Sequence, residues 1–252
     1  MARPIRNLLI VALLAVAAGA AAVAWRAPHE KPVLGLFTTL PIYWGETADL
    51  GEMLADESGP HWVRRALERD YRLRPLDVLS AAGQEQGLAG ARDLVLAQPR
   101  ALSPAENVAL DAWVREGGRV LLFADPMLTA HSAFALGDRR RPQEVILLSP
   151  LLNHWGLDLQ FDETLPEGER RVDVLGTAVP VNLPGRFALR ENAGGGDAAC
   201  ALLGEGLVAR CAIGRGTAVV IADAALLENA GNAQAARETA LSALLNSAFG
   251  GG

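Results

Sequence analysis

Residues 93–126, DLVLAQPRALSPAENVALDAWVREGGRVLLFADP, decide the fold, because they hold a strand, a helix and a second strand with their own start and stop signals. The apolar runs at 93–97 and 119–124 suit buried strands. Between them Ser103 is placed to cap a helix, Pro104 suits its first position, Glu106 stands where a capping-box carboxylate belongs, and Gly117-Gly118 ends it. Val108, Leu110, Trp113 and Val114 are expected on a common face covering a sheet. Two buried strands joined by a crossover helix form a βαβ unit, which implies a mostly parallel sheet with right-handed connections. Ligands of such sheets sit beyond the carboxyl ends of the strands, and here that edge begins with Asp125-Pro126.

The flanking sequence extends the same alternation. Residues 33–39 read as a first strand and 61–69 as a helix; 71–79 reads as an edge or irregular strand, because Pro75 has no N–H to give a ladder. After a long connection, Ser149 and Pro150 open another helix that Gly156 closes. Residues 157–213 consist of short apolar runs broken by Pro and Gly, which predicts a β-rich excursion off the main sheet. Residues 217–223 return to the sheet, and a helix from about residue 233 to 249 ends the domain. The expected architecture is therefore α/β, a three-layer sandwich with a mostly parallel sheet plus a β-rich excursion, all within residues 33–249.

Ahead of this domain, residues 7–25 are uncharged and largely apolar, between Arg3 and Arg6 on one side and Arg26 on the other. At 1.5 Å per residue this segment suffices for a bilayer core of about 30 Å, with Trp25 at its outer interface. The basic residues 1–6 are expected in the cytoplasm, residues 26–32 as a tether, and the remainder outside the inner membrane. The alternative is a signal peptide cut near Ala22-Val23-Ala24. No cysteine lies there to carry a lipid.

The chain has 252 residues, 50% of them hydrophobic, enough to bury a sizeable core. A net charge of −6 gives no overall basic field, so nucleic acid is not an expected partner; Arg139-Arg140-Arg141 reads as a solvated loop. The two cysteines flank CALLGEGLVARC. If residues 204–207 form a four-residue hairpin loop, Cys200 and Cys211 fall opposite one another, either as a disulfide in an oxidising compartment or as two half-buried thiols. The four histidines show no ligand spacing, and no metal or other cofactor is expected. No G-x-S-x-G, HExxH, Walker A or dinucleotide-binding glycine motif is present, and His131 beside Ser132 does not make a triad.

One arrangement recurs: RVLLFADP and AVVIADA each end a buried strand with an aspartate, Asp125 and Asp223. On parallel strands the two carboxylates share an edge, where with Thr38 and Thr39 they offer a binding place for a cation or polar ligand. The structural alternative is that each aspartate caps the turn after its strand through a side-chain oxygen.

Residues 33–44, 93–126 and 214–229 together resemble the Gld-type auxiliary component of ABC transporters, the ABC-type uncharacterised transport system domain. Its pattern is a strand, a Leu-Ser-capped helix, Gly-Gly and a strand ending in Asp-Pro, then a Gly-basic-Gly and a strand ending in Asp. The resemblance implies a fold like that of class I glutamine amidotransferases. Those enzymes carry a cysteine nucleophile after the strand matching 119–124 and a histidine after the strand matching 217–222. Here these places hold Asp125-Pro126 and Asp223-Ala224. A carboxylate cannot replace a thiolate–imidazole pair, so the resemblance implies a domain without catalysis. Larger members carry further membrane spans near the carboxyl end, where this chain ends in a soluble helix. The resulting expectation is a membrane-anchored, extracytoplasmic, non-enzymatic accessory of an ABC-type transport or envelope system, with a separate permease and ATPase as partners. The alternatives are a periplasmic binding module for a sugar or other polar ligand at Thr38, Thr39, Asp125 and Asp223, and a metal-dependent hydrolase built on the two aspartates.

Overall fold

A central seven-stranded sheet organises the chain, in the order β2-β1-β3-β4-β11-β10-β9. The structure, a computed structural model, describes residues 30–46, 59–80, 87–190, 198–229 and 233–250. The segments expected as cytoplasmic terminus (1–6) and as membrane anchor or signal (7–25) lie outside the described residues, as does most of the tether. No helix among the described residues is long and apolar enough to cross a membrane.

Strands β1 (Val33–Thr38), β2 (Arg72–Pro75), β3 (Asp93–Ala97), β4 (Arg119–Phe123) and β11 (Gly216–Ile221) run parallel. β3 is buried at all five positions and β4 at four of five, the pattern of parallel strands covered on both faces. Helix α1 (Trp62–Asp70) packs with α4 (Gln234–Phe249), and α2 (Pro104–Arg115) with α3 (Ser149–His154). The short, proline-ended β2 occupies one edge of the sheet, as its inability to donate requires.

Local chemistry explains why α2 begins and ends where it does. Ser103 accepts from the Glu106 N–H while the Glu106 carboxylate accepts from the Ser103 N–H, a complete capping box. That carboxylate also takes the Arg100 guanidinium and the Leu79 N–H, and the ion pair holds it well below the usual carboxylate range. The buried stripe is Glu106, Leu110 and Val114, with Trp113 packed beside it. Val108 is 70% exposed, contrary to its expected place on that face. It lies two residues from Leu110, which at 100° per residue turns it to the opposite side.

The chain between 157 and 213 divides differently from the expected excursion. Among the described residues two ribbons stand off the main sheet: β5 (Leu157–Gln160) with β8 (Arg186–Leu189), and β6 (Arg170–Val174) with β7 (Thr177–Val181). β9 (Ala198–Leu203) and β10 (Val208–Ile213) instead extend the main sheet antiparallel beyond β11. The reason is the two-residue turn Gly214-Arg215, which folds β10 straight back onto β11 and pairs Ile213 with Gly216. Strand β7 is unmarked in the sequence because it contains Pro180; in a two-stranded ribbon the missing donor costs little.

Gly214 and Gly216 let the turn between β10 and β11 approach the end of α2 closely. Gly214 has φ +55° and lies against the end of α2, and a Cβ on Gly216 would lie 2.1 Å from the Val114 carbonyl oxygen and 2.2 Å from that of Gly118. Gly216→Ala is expected to lower stability by about 2 kcal/mol, read as a lower denaturation midpoint with unchanged slope. An unchanged midpoint would show that α2 can shift away from β11.

Candidate functional site

Five strands run parallel, so the residues just past β1, β3, β4 and β11 collect at one edge of the sheet. Thr38, Thr39, Asp125 and Asp223 are brought to this edge as the sequence suggests, but their polar atoms are already engaged with the protein. The Thr38 hydroxyl donates to the Ala97 carbonyl and accepts from Leu40 N–H. The Thr39 hydroxyl donates to the Gln98 carbonyl and accepts from Gln143 N–H.

Gln98, unmarked in the sequence reading, is fully buried at φ 45°. Its amide donates to the Asp125 and Gln143 carbonyls and its oxygen accepts from Asp125 N–H. The cue that found Asp125 and Asp223, a polar residue within two positions of a buried strand's end, would also have found Gln98.

Asp125 and Asp223 are each only 1% exposed. Asp125 Oδ1 accepts from Met127 N–H at 2.8 Å and Oδ2 from Ala224 N–H at 3.0 Å. Asp223 Oδ1 accepts from Ala225 N–H at 2.7 Å and Oδ2 from Asn182 N–H at 2.9 Å. Both aspartates therefore cap the turns that follow their strands, and each also ties down a distant segment. Burial, only partly offset by these hydrogen bonds, pushes the Asp125 carboxyl up to about 7. Burial, followed by the Asp125 charge, pushes Asp223 well above the usual range. Among the described residues no group of three His, Cys, Asp or Glu is placed to hold a metal ion.

A cleft of about 270 Å³ opens on the same edge, one layer farther out, with Leu40, Pro41, Ile42 and Leu227 among its apolar walls and His61, His131 and Glu228 among its polar ones. The loops after β1, β4 and β11 build it. His61 caps α1 by accepting from Val63 N–H at Nδ1, so the neutral ring carries its proton on Nε2. Burial, then nearby Arg65, hold His61 down at about 4. Glu228 follows the 3₁₀ turn Ala225–Leu227, and burial raises its carboxyl above the usual value. Neither His61 nor Glu228 is marked by a sequence motif. The only available cue is that each follows or precedes an element whose end lies on this edge.

Cys200 and Cys211 occupy directly paired positions on β9 and β10 and form a disulfide. Of the two readings the spacing allowed, the structure takes the bridge.

These features define an α/β domain whose sheet edge is closed by its own polar side chains. The chain belongs to the ABC-type uncharacterized transport system family, whose sequence model matches residues 31–174. No curated protein sequence matches the chain. Among solved structures it is similar to Gan42B, a GH42 β-galactosidase from G. stearothermophilus, at 14% identity and a TM-score of 0.50, covering 87% of this chain and 30% of that one. It is also similar to the exo-β-1,4-mannosidase Op5Man5 from Opitutaceae bacterium strain TAV5 (13%, TM-score 0.49, 87% and 36%). A third is the cytoplasmic protein STM3548 from Salmonella typhimurium (11%, TM-score 0.45, 84% and 97%). The chain thus spans about a third of the glycosidases it resembles, and at 14% identity the likeness to Gan42B shows a shared fold alone.

Proposed function

We propose that this chain is a membrane-anchored, extracytoplasmic accessory domain of an ABC-type transport or envelope system, acting by assembly rather than by catalysis, with a separately encoded permease and ATPase as partners. The observation that carries the reading is the family match over residues 31–174. The sheet edge supports its non-catalytic half. Where an amidotransferase-like enzyme would expose a nucleophile and a base, all four carboxylate oxygens of Asp125 and Asp223 accept backbone N–H groups. Each oxygen thus holds backbone in place, and at 1% exposure both side chains are shut off from anything outside the fold.

The Cys200–Cys211 disulfide supports the extracytoplasmic half, because such bridges persist in oxidising compartments. When cells are lysed into a thiol-blocking reagent, the two cysteines are expected as one disulfide-linked pair. Their recovery as two blocked thiols would remove this support.

The assembly itself is tested by isolating the tagged, detergent-solubilised full chain from its native membrane and identifying co-purifying proteins by mass spectrometry. Recovery of a permease and an ATPase is the expected result. Recovery of the chain alone from the membrane fraction would overturn the transporter reading.

A further inference from the structure

We propose that the cleft beyond the carboxyl ends of β1, β4 and β11 is a binding site for a small molecule bearing an alkylammonium group, with Glu228 as the acceptor of that group. The inference does not depend on the transporter assignment. It rests on how Glu228 is held and on what surrounds it.

Glu228 is fixed from three sides. Its N–H bonds to the Ala225 carbonyl, and its own carbonyl accepts from the indole N–H of buried Trp62 at 2.9 Å. Carboxylate oxygen Oε1 accepts from the Thr129 hydroxyl at 3.2 Å. That hydroxyl is itself oriented, because its oxygen accepts from the Asn182 side-chain amide at 3.1 Å and leaves its hydrogen for Glu228. Among the described residues, Oε2 has no hydrogen-bond partner and no cationic side chain forms an ion pair with Glu228. The nearby Arg237 is engaged instead with Glu169 and the Ala225 carbonyl.

The surroundings select the sign and shape of the ligand. Asp125 and Asp223 lie near enough to feel the Glu228 charge but are buried and hold their protons towards neutral pH, so the acceptor that faces the cleft is Glu228. His61, held neutral at physiological pH, adds no positive charge and offers only its Nε2–H, while Arg237 and the cleft residue His131 are the neighbours that favour the ionised form of Glu228. Leu40, Pro41, Ile42 and Leu227 present hydrocarbon around this acceptor. A half-desolvated carboxylate with one free oxygen gains most from a charge-assisted donor, and apolar walls suit a chain of methylenes behind it. Hydroxyl-rich ligands fit less well, since hydrocarbon walls leave their polar groups unpaired.

Calorimetric titration of the full-length chain with cadaverine and with its neutral counterpart 1,5-pentanediol tests the assignment. Saturable one-to-one binding of cadaverine is expected, at least about ten-fold tighter than the diol, and weakened at least about ten-fold by Glu228→Gln. A second measurement guards against a misfolded variant: in the wild type, added salt should weaken cadaverine binding and leave the diol unaffected. Equal affinity for the two probes, no saturable binding of cadaverine, or cadaverine binding insensitive to both salt and Glu228→Gln would overturn the proposal. Tighter binding of Nα-acetyl-lysine methylamide than of cadaverine would overturn its small-molecule form and assign the cleft to a lysine of another polypeptide.

Discussion

Raising the pH from 6.5 to 8.5 is expected to lower the unfolding free energy by about 1 kcal/mol through Asp125, whose folded carboxyl sits at about 7, with buried Asp223 adding to the loss in the same direction. Burial raises the Asp125 carboxyl to about 7 and the Asp223 carboxyl well above its ordinary value. Both groups hold a proton more tightly in the folded chain than in the unfolded one, so folding takes up protons and alkali opposes it. The stabilisation is fully present below the unfolded carboxyl range and is lost as pH rises through the folded values, at about 1.4 kcal/mol per pH unit for each proton retained only by the fold. His61 acts in the opposite direction. Its folded value near 4 means that acid costs stability between its unfolded range and about 4, which confines its influence to lower pH. Urea unfolding at a series of pH values measures the slope. In Asp125→Asn the slope should be shallower, because one titrating carboxyl is gone and the charge that raises Asp223 has gone with it. A wild-type stability flat from pH 6.5 to 8.5 would mean that both carboxylates are ionised in the fold and held by their four N–H donors alone.

The larger single-residue effect is expected at the other end of the strands. Arg119 on β4 makes a two-pronged ion pair with Asp93 on β3, at 2.6 and 2.7 Å, with side chains 15% and 6% exposed. The same guanidinium donates to the Phe249 carbonyl at 2.5 Å and lies over the Phe249 ring, tying the end of α4 to the sheet. Asp93→Ala should cost about 3 to 5 kcal/mol, because it leaves a buried cation without its counter-charge. Replacing both partners, Asp93→Leu with Arg119→Met, should restore much of that loss, since two apolar groups of similar volume remove the desolvation penalty along with the attraction. The restoration would be incomplete to the extent that the Phe249 carbonyl loses its donor. A loss below about 1 kcal/mol in Asp93→Ala would show that water reaches Arg119 and that the pair behaves as a surface one.

The sequence makes the middle of this fold legible because its signals there are local. Ser103, Pro104, Glu106 and the Gly-Gly pair lie within one helix of one another, and the structure uses each at its expected place. Pro75 correctly marks an edge strand, and a four-residue loop correctly places Cys200 opposite Cys211. What escaped reading depends on contacts between distant residues. Whether β9 and β10 leave the main sheet or rejoin it is decided by pairing with β11, which apolar runs broken by glycine do not encode. Asp125 is tied to Ala224 across 99 residues and Asp223 to Asn182 across 41, and no periodicity announces such partners. The sequence placed Asp125 and Asp223 on one edge correctly and offered both a ligand role and a capping role there. The structure puts their oxygens to capping, while the accessible acceptor, Glu228, sits on a turn with no motif.

The bridge between β9 and β10 changes how this molecule comes apart. An outermost strand ordinarily frays first, exchanging its amide hydrogens with solvent in small, independent openings. β9 is joined covalently through Cys200 to β10, whose other neighbour is β11 beside the core strands. The amides that β9 contributes to this ladder should therefore exchange in one cooperative unit with those of β10 while the bridge is intact. Reduction should separate the two rates, with β9 exchanging faster and β10 retaining the protection conferred by β11.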